Sequence, residues 1–179
     1  MPYDPNRHHR RSIRLPGYDY AQPGAYYVTL CVHDRSCIFG TVDNGALVPS
    51  ELGHLVLYSW RQLPHHFRHI ALDAYVLMPN HLHGVVVFQS PGAATGGGAN
   101  PHGTAPGSLG AVVQSFKSRS ARVVNRRRGA PGAPLWQRNY YEHIVRDDDD
   151  LRRIRSYIVA NPARWPQQSP SSAIAEEGL

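Results

Sequence analysis

The stretch IALDAYVLMPNHLHGVVVF, at positions 70–88, constrains the fold more than any other part of the chain. Two runs rich in Val, Ile, Leu and Tyr flank the short MPNH segment, and such runs on either side of a tight turn predict an antiparallel hairpin. Because side chains alternate along a strand, His81 and His83 should point to the same face, with backbones roughly 7 Å apart. The stretch therefore predicts two central strands with two imidazoles on one face.

The other apolar patterns predict elements that surround this hairpin. Strands are predicted at 25–32 and 135–145, and amphipathic helices at 50–63, from about 109, and from the acidic run 147–150 to the Asn161-Pro162 pair. Acidic residues favour the positive end of a helix, and the residue before a proline tends to leave the helical region. The resulting order, βαββαβα, indicates an α+β fold: a ferredoxin-like antiparallel sheet with helices on one face.

Length and composition predict one domain with irregular ends. The chain has 179 residues and 41% hydrophobic content, which suits a single core. We expect a basic N-terminal arm at 1–24, the domain at 25–165 and a tail at 166–179, with a flexible Gly- and Pro-rich loop at 90–108. No run approaches the roughly 18 apolar residues of a membrane span, so a cytoplasmic location without a membrane partner is expected.

The charge of the chain favours a polyanionic partner. The formal net charge is +6 with a pI near 9.6, and every basic residue except Lys117 is arginine. Arginine matches phosphate geometry, and its clusters at 7–14, 117–128 and 152–155 are typical of a nucleic-acid-binding surface. The alternative is a general arginine bias that has no binding role.

Two pairs of polar residues could form a catalytic site. His81 and His83 could converge on one cation or one phosphate, or could simply be the polar face of a sheet. Tyr157 and Asn161, four residues apart, share one face of the last helix. A tyrosine beside a metal-polarised phosphate is a competent nucleophile, and an amide oxygen can bind the metal. Alternatively, Tyr157 is a core residue and Asn161 a helix cap.

Five blocks of sequence, in order along the chain, resemble the REP-associated tyrosine transposases. The blocks are RRSIRLPGYDYAQPGAYYVTLCVHDR, MPNHLH, GSLGAVVQSFKS, WQRNYYEHIVR and YIVANP. This family belongs to the single-tyrosine HUH endonucleases, together with the transposases of the smallest insertion sequences. The resemblance implies that His81, His83 and Asn161 bind a divalent metal, Mg²⁺ or Mn²⁺, and that Tyr157 is the nucleophile. The domain at 25–165 would then be a catalytic HUH domain.

The resemblance also implies a reaction and a partner. The reaction is cleavage and rejoining of single-stranded DNA through a 5′-phosphotyrosine intermediate, at a palindromic hairpin with a short guide sequence. A monomer is favoured over a dimer, in the cytoplasm and associated with the nucleoid. The expected DNA contacts are Arg10, Arg11, Arg14, Tyr18, Lys117, Arg119, Arg122 and Arg126.

Three alternatives remain open at the level of sequence. A chain derived from a transposase could bind DNA hairpins without cleaving them. The histidine pair could instead serve a metallohydrolase that acts through water, which would need no tyrosine. Tyr140 and Tyr141 are rival nucleophiles, but on a strand they face opposite ways, so only one could approach the site.

Overall fold

A computed structural model of the chain describes residue 15 and residues 17–91 and 104–165. Residues 1–14, most of the predicted 90–108 loop and the predicted 166–179 tail lie outside the described residues. No helix in the described ranges is long and apolar enough to span a membrane. The elements are β1 Gly24–Cys31, β2 Gly40–Asp43, β3 Ala46–Pro49, α1 Glu51–Arg61, α2 Leu63–His66, β4 Ile70–Met78, β5 His81–Phe88, α3 Leu109–Arg127, β6 Tyr141–Ile144 and α4 Asp148–Arg164.

The main sheet has the strand order β4-β5-β1-β6, and every neighbouring pair is antiparallel. The predicted central hairpin is confirmed, with Met78 paired to His81 across the turn. Sequence reasoning missed the separate β2–β3 hairpin. Its turn carries Asn44 and Gly45 with φ of 49° and 73°, and an Asn-Gly pair between short strands is a recognised hairpin signal.

The sheet is covered on both faces. Alternation along β1 and β5 sends Tyr26, Leu82 and their even-numbered neighbours towards α1 and α3, into a core where the Trp60 and Phe116 rings lie 5.1 Å apart. Odd-numbered side chains such as Val85 meet Ile154 on α4. The predicted antiparallel α+β fold is confirmed. The expectation of helices on one face holds for α1 and α3, whereas α4 packs on the other face because that face is also apolar.

Two predicted boundaries differ from the structure. The strand predicted at 135–145 pairs with β1 only over Tyr141–Ile144, and Trp136 makes an isolated bridge to Val32. Helix α4 continues past Asn161 and contains Pro162 in its last turn. Asn161 is fully buried, and an added Cβ on Gly45 of the β2–β3 turn would lie 3.5 Å from Ala163. These contacts hold a terminal turn that the proline alone would weaken.

Replacing Gly53 by Ala should destabilise the protein by roughly 2–4 kcal/mol. A Cβ at this position in α1 would lie 2.1 Å from the Phe39 backbone oxygen, so the helix or the chain at Phe39 must move. Urea unfolding measures the loss. The exposed neighbour His54 supplies the control His54→Ala, which should change stability by less than about 0.5 kcal/mol. Equal midpoints for the two variants would contradict this close packing.

Candidate metal and nucleophile site

His81 and His83 converge at the start of β5, on the face that α4 covers. Their side chains lie on the same face, as alternation predicted, and the two Nε2 atoms are 3.0 Å apart. The residues are 5% and 2% exposed. A pair of imidazole nitrogens this close and this deeply buried needs a proton or a cation between them, because two facing lone pairs repel each other.

Neighbouring side chains fix the orientation of both rings. His81 Nδ1 lies 2.7 Å from Asn80 Oδ1, and the Asn80 amide is itself oriented by its donation to the Arg35 carbonyl, at 3.0 Å. Because Asn80 Oδ1 can only accept, His81 Nδ1 donates and its Nε2 presents a lone pair towards His83. His83 Nδ1 lies 2.7 Å from Tyr27 Oη and 2.9 Å from Thr29 Oγ1. Both hydroxyl oxygens can accept a hydrogen bond from Nδ1, and in that tautomer His83 Nε2 presents a lone pair that can bind a cation.

Asn161, on α4, is a third candidate metal ligand. Its Nδ2 lies 3.4 Å from His83 Nε2, and its Oδ1 is buried without a hydrogen-bond partner among the described residues. An unsatisfied buried carbonyl oxygen costs about 1–3 kcal/mol. This unsatisfied oxygen belongs to the amide group that contacts His83 Nε2, so the Asn161 side chain has an oxygen available as a ligand of an added cation. Because α4 runs to Arg164, Asn161 lies inside the helix and not beyond it as a cap.

The donor set of two imidazoles and one amide oxygen fits a divalent cation. The two Nε2 atoms are 3.0 Å apart, close enough for both imidazoles to hold one ion. In the described ranges, no group of three His, Cys, Asp or Glu side chains could hold a metal ion. A mixed nitrogen and oxygen set suits Mn²⁺ better than Mg²⁺, which prefers oxygen ligands alone.

Tyr157 lies beside the histidines, one helical turn before Asn161. Its half-buried ring is 5.4 Å from the His83 ring and 6.4 Å from the Tyr27 ring. Among the rival tyrosines, Tyr140 faces α3, whereas Tyr141 shares the face of the site, with its ring 6.0 Å from Tyr27. The structure therefore brings Tyr157, His81, His83 and Asn161 together.

Helix α4 is anchored at three points near the site. Asp147 caps it by accepting from the Asp150 amide, at 2.8 Å, and Asp150 also lies 2.8 Å from His143 Nε2. One turn later, Arg155 forms two hydrogen bonds to Asp73 on β4, at 2.8 and 2.6 Å. The Arg155 guanidinium lowers the pKa of Asp73. These contacts fix the helix position that carries Tyr157.

Sequence reasoning did not identify the residues that surround the histidines. Thr29 is the register partner of His83, and Tyr27 follows from alternation along β1 only once that register is known. Trp165, whose ring is 5.9 Å from His81, lay beyond the predicted end of the helix. Asn80 was within reach, because it directly precedes His81 in the quoted MPNH turn.

The site keeps both imidazoles neutral at pH 7. Burial and the nearby Arg35 lower the pKa of His81 to about 4. Burial and the neighbouring His81 lower the pKa of His83 well below its usual value. Neutral imidazole is the form that binds metals, so both side chains are ready to act as ligands near neutral pH.

The free energy of unfolding should fall as the pH is lowered from about 6.5 to about 4. Histidine in the unfolded chain titrates near pH 6.5, whereas burial lowers the pKa of folded His81 to about 4 and that of His83 well below 6.5. Within this window the unfolded chain binds more protons, so acid favours unfolding, and the stabilising contribution is complete only above about pH 6.5. Urea unfolding across the window measures it. The double variant His81→Gln, His83→Gln should show a flatter dependence, and an unchanged one would contradict this assignment.

The predicted DNA-contact residues other than Lys117 are in three different situations. Arg119, Arg122 and Arg126 are exposed on α3, on the side of the sheet opposite to Tyr157. Tyr18 is half-buried, with its ring 4.9 Å from Tyr20. The remaining three candidates, Arg10, Arg11 and Arg14, lie outside the described residues.

Lys117 holds a loop instead of facing solvent. Its Nζ donates to the carbonyl oxygens of Gln137, Arg138 and Asn139, at 2.9, 3.3 and 3.2 Å. It also lies 5.1 Å from the centre of the Tyr140 ring. Burial lowers the pKa of Lys117 to about 8. Because an ammonium has three donors, these bonds leave none for a phosphate.

Comparison with known proteins places the chain in a family. No protein-family model matches it. An uncharacterised protein of Haemophilus influenzae is 35% identical over 172 residues, covering 92% of this chain and 94% of that protein. A second protein from this organism, named as a candidate REP-associated tyrosine transposase, is 39% identical over 44 residues, covering 20% of this chain and 25% of that protein.

A solved structure has the same fold. It is that of a REP-associated tyrosine transposase bound to a REP hairpin, with a TM-score of 0.54 and 19% identity, covering 86% of this chain and 74% of that chain. The antiparallel sheet and the C-terminal helix are thus shared with that protein. The chain belongs to the same family as the uncharacterised Haemophilus influenzae protein that it matches over 92% of its length. It is also a relative of the REP-associated tyrosine transposases.

Proposed function

We propose that this protein cleaves and rejoins single-stranded DNA at hairpin-associated sites, with Tyr157 as the nucleophile. The observation that carries the proposal is the convergence of Tyr157 and Asn161 from α4 on the His81–His83 pair of β5. The fold shared with a transposase that was solved on a REP hairpin supports the choice of substrate.

The covalent step follows from the chemistry of a phenol. The Tyr157 oxygen attacks a backbone phosphorus, the bond from phosphorus to the 3′ oxygen breaks, and the phenolic proton is transferred to that oxygen overall. The products are a 5′-phosphotyrosine and a free 3′-OH. Because one phosphodiester replaces another, no external energy source is needed, and a returning 3′-OH reverses the reaction.

His81, His83 and Asn161 would hold the divalent metal. When bound, the ion would polarise a phosphate oxygen and stabilise the charge that develops there. Asn80 keeps the His81 proton on Nδ1, and Tyr27 and Thr29 can accept a hydrogen bond from His83 Nδ1, which would leave both Nε2 atoms available. The contacts that anchor α4 hold the tyrosine next to these ligands.

The test is a gel assay for a covalent adduct. Purified protein is incubated with Mn²⁺ or Mg²⁺ and a single-stranded hairpin from the sequence flanking the gene, labelled at either end. We expect a protein adduct that carries the 3′-labelled fragment, and a 5′-labelled fragment ending in 3′-OH. Two released fragments without an adduct would favour hydrolysis through water. Hairpin binding without cleavage, with both metals, would favour a catalytically silent binding protein.

The two single variants Lys117→Met and Arg122→Ala should distinguish a structural role of Lys117 from a DNA-binding role of Arg122. Lys117→Met should lower stability by about 1–3 kcal/mol, because three carbonyls lose their donor, and should leave the salt dependence of hairpin binding unchanged. Arg122→Ala should change stability by less than about 0.5 kcal/mol. It should reduce the slope of log affinity against log salt by about one, if Arg122 contacts a phosphate. The reverse pattern would contradict both assignments.

A further inference from the structure

A cavity lies at the outer edge of β6, away from the histidine site. Its volume is about 340 Å³, and its walls include Leu15, Tyr18, Tyr20, Glu142, Ile144 and Arg146. We propose that this cavity binds one unstacked base of the single-stranded DNA, and that it prefers a base bearing an amino group. This inference rests on the proposed function and adds a base-reading subsite to it.

The aromatic walls of the cavity are held in place before any ligand arrives. The Tyr18 and Tyr20 rings meet edge to face, with centroids 4.9 Å apart, and both pack on Tyr26, which is fully buried. The Tyr20 carbonyl accepts from the Leu109 amide at the start of α3, at 2.9 Å. The Tyr20 hydroxyl accepts from the Leu15 amide, at 3.0 Å. Ordered aromatic rings are the usual platforms for unstacked bases, because every base has a flat face.

The polar groups of the cavity suit a base and its phosphate. Glu142 is only 9% exposed, and its carboxylate repels phosphate but accepts from the amino groups of adenine, cytosine or guanine. Thymine offers no amino group. Arg146 is exposed, and its guanidinium suits the phosphate of the same nucleotide. The cavity therefore has separate places for the base and for the backbone.

The position of the cavity explains why such a subsite is useful. The arginines of α3 and Tyr157 lie on opposite sides of the sheet, so one DNA molecule can contact both only by crossing an edge. The β6 edge is next to α3, because Lys117 of α3 bonds the residues just before β6. On the other face of the same strand, the Tyr141 ring lies 6.0 Å from Tyr27, which contacts His83. A base bound at this edge would direct the strand towards Tyr157.

The test is a binding experiment with single abasic substitutions. Fluorescence anisotropy measures the affinity of the flanking-sequence hairpin, intact or lacking one base at each unpaired position, for wild type, Tyr18→Ala and Glu142→Gln. With wild type, one abasic position should weaken binding about tenfold. Tyr18→Ala should lower the affinity for the intact hairpin by a similar factor. Removing the base at that position should then cause no further loss of affinity in this variant. Oligonucleotides with thymine at that position test the base preference: wild type should bind them more weakly, whereas Glu142→Gln, which keeps the side-chain shape, should lose this discrimination.

Matched controls distinguish this subsite from the proposed function. Tyr58, which is 64% exposed on α1, supplies the control Tyr58→Ala, which should bind every oligonucleotide as wild type does. If the affinities of both cavity variants change at each abasic position as those of wild type do, the proposed subsite is wrong. If wild type nevertheless forms the covalent adduct, the proposed function still holds. If wild type neither binds the hairpin nor forms an adduct, both proposals are overturned.

Discussion

Tyr157→Phe should reduce adduct formation and strand cleavage by roughly a thousandfold or more, because phenylalanine lacks the oxygen that forms the bond to phosphorus. The ring itself remains, so its contacts with His83 and Tyr27, at 5.4 and 6.4 Å between ring centres, should persist. Stability and hairpin affinity should therefore change little. Denaturing gels measure the adduct, and anisotropy measures the affinity of the same preparation.

The matched control for this prediction is Tyr141→Phe. Tyr141 lies on the same face of the sheet, with its ring 6.0 Å from Tyr27, and its own hydroxyl is the nearest rival to that of Tyr157. We expect Tyr141→Phe to retain adduct formation to within about tenfold. If the adduct persists in Tyr157→Phe but disappears in Tyr141→Phe, the nucleophile is Tyr141 on β6 and not Tyr157.

Mn²⁺ should raise the melting temperature of the wild-type protein, and His83→Gln should abolish the rise. At a concentration of 100 times Kd, a ligand that binds only the folded state stabilises it by about 2.7 kcal/mol, or roughly 5–10 °C for a domain of this size. The reason is that the ion would satisfy Asn161 Oδ1 and the two facing Nε2 atoms together. Thermal unfolding with and without Mn²⁺, and after addition of EDTA, measures the effect without DNA or activity.

Another histidine provides the control for the metal. His54 is exposed on α1, outside the site, so His54→Gln should keep the full Mn²⁺ shift. A shift that persists in His83→Gln would mean that the ion binds elsewhere. No shift in wild type would mean that the three donors do not hold Mn²⁺ in the absence of DNA.

The central hairpin could be predicted from sequence because its information is local. Two apolar runs flank a tight turn, and alternation alone places His81 and His83 on one face, as the structure shows. Helical spacing likewise places Tyr157 and Asn161 on one side of α4. Residue spacing could not predict that the His81–His83 pair lies next to the Tyr157–Asn161 pair, because this proximity depends on which face of the sheet α4 covers.

The features that were missed depend on long-range contacts. Tyr27 and Thr29 are far from His83 in sequence, and only the β1–β5 register brings them to its Nδ1 atom. Asn161 precedes a proline, which predicts a helix end, yet its burial keeps it within the helix. Lys117 has the charge of a phosphate ligand, but the loop at 137–139 folds back onto it. Local pattern cannot reveal partners that arrive from elsewhere in the chain.

The most direct measurement is mass spectrometry of the covalent adduct after digestion with nuclease and trypsin. Cleavage after Arg155 and Arg164 releases the peptide SYIVANPAR, in which Tyr157 is the single tyrosine. We predict that this peptide carries the mass of the residual phosphonucleotide. The peptide NYYEHIVR at 139–146 carries the two rival tyrosines. A nucleotide on that peptide, with SYIVANPAR unmodified, would contradict the assignment of Tyr157 as nucleophile.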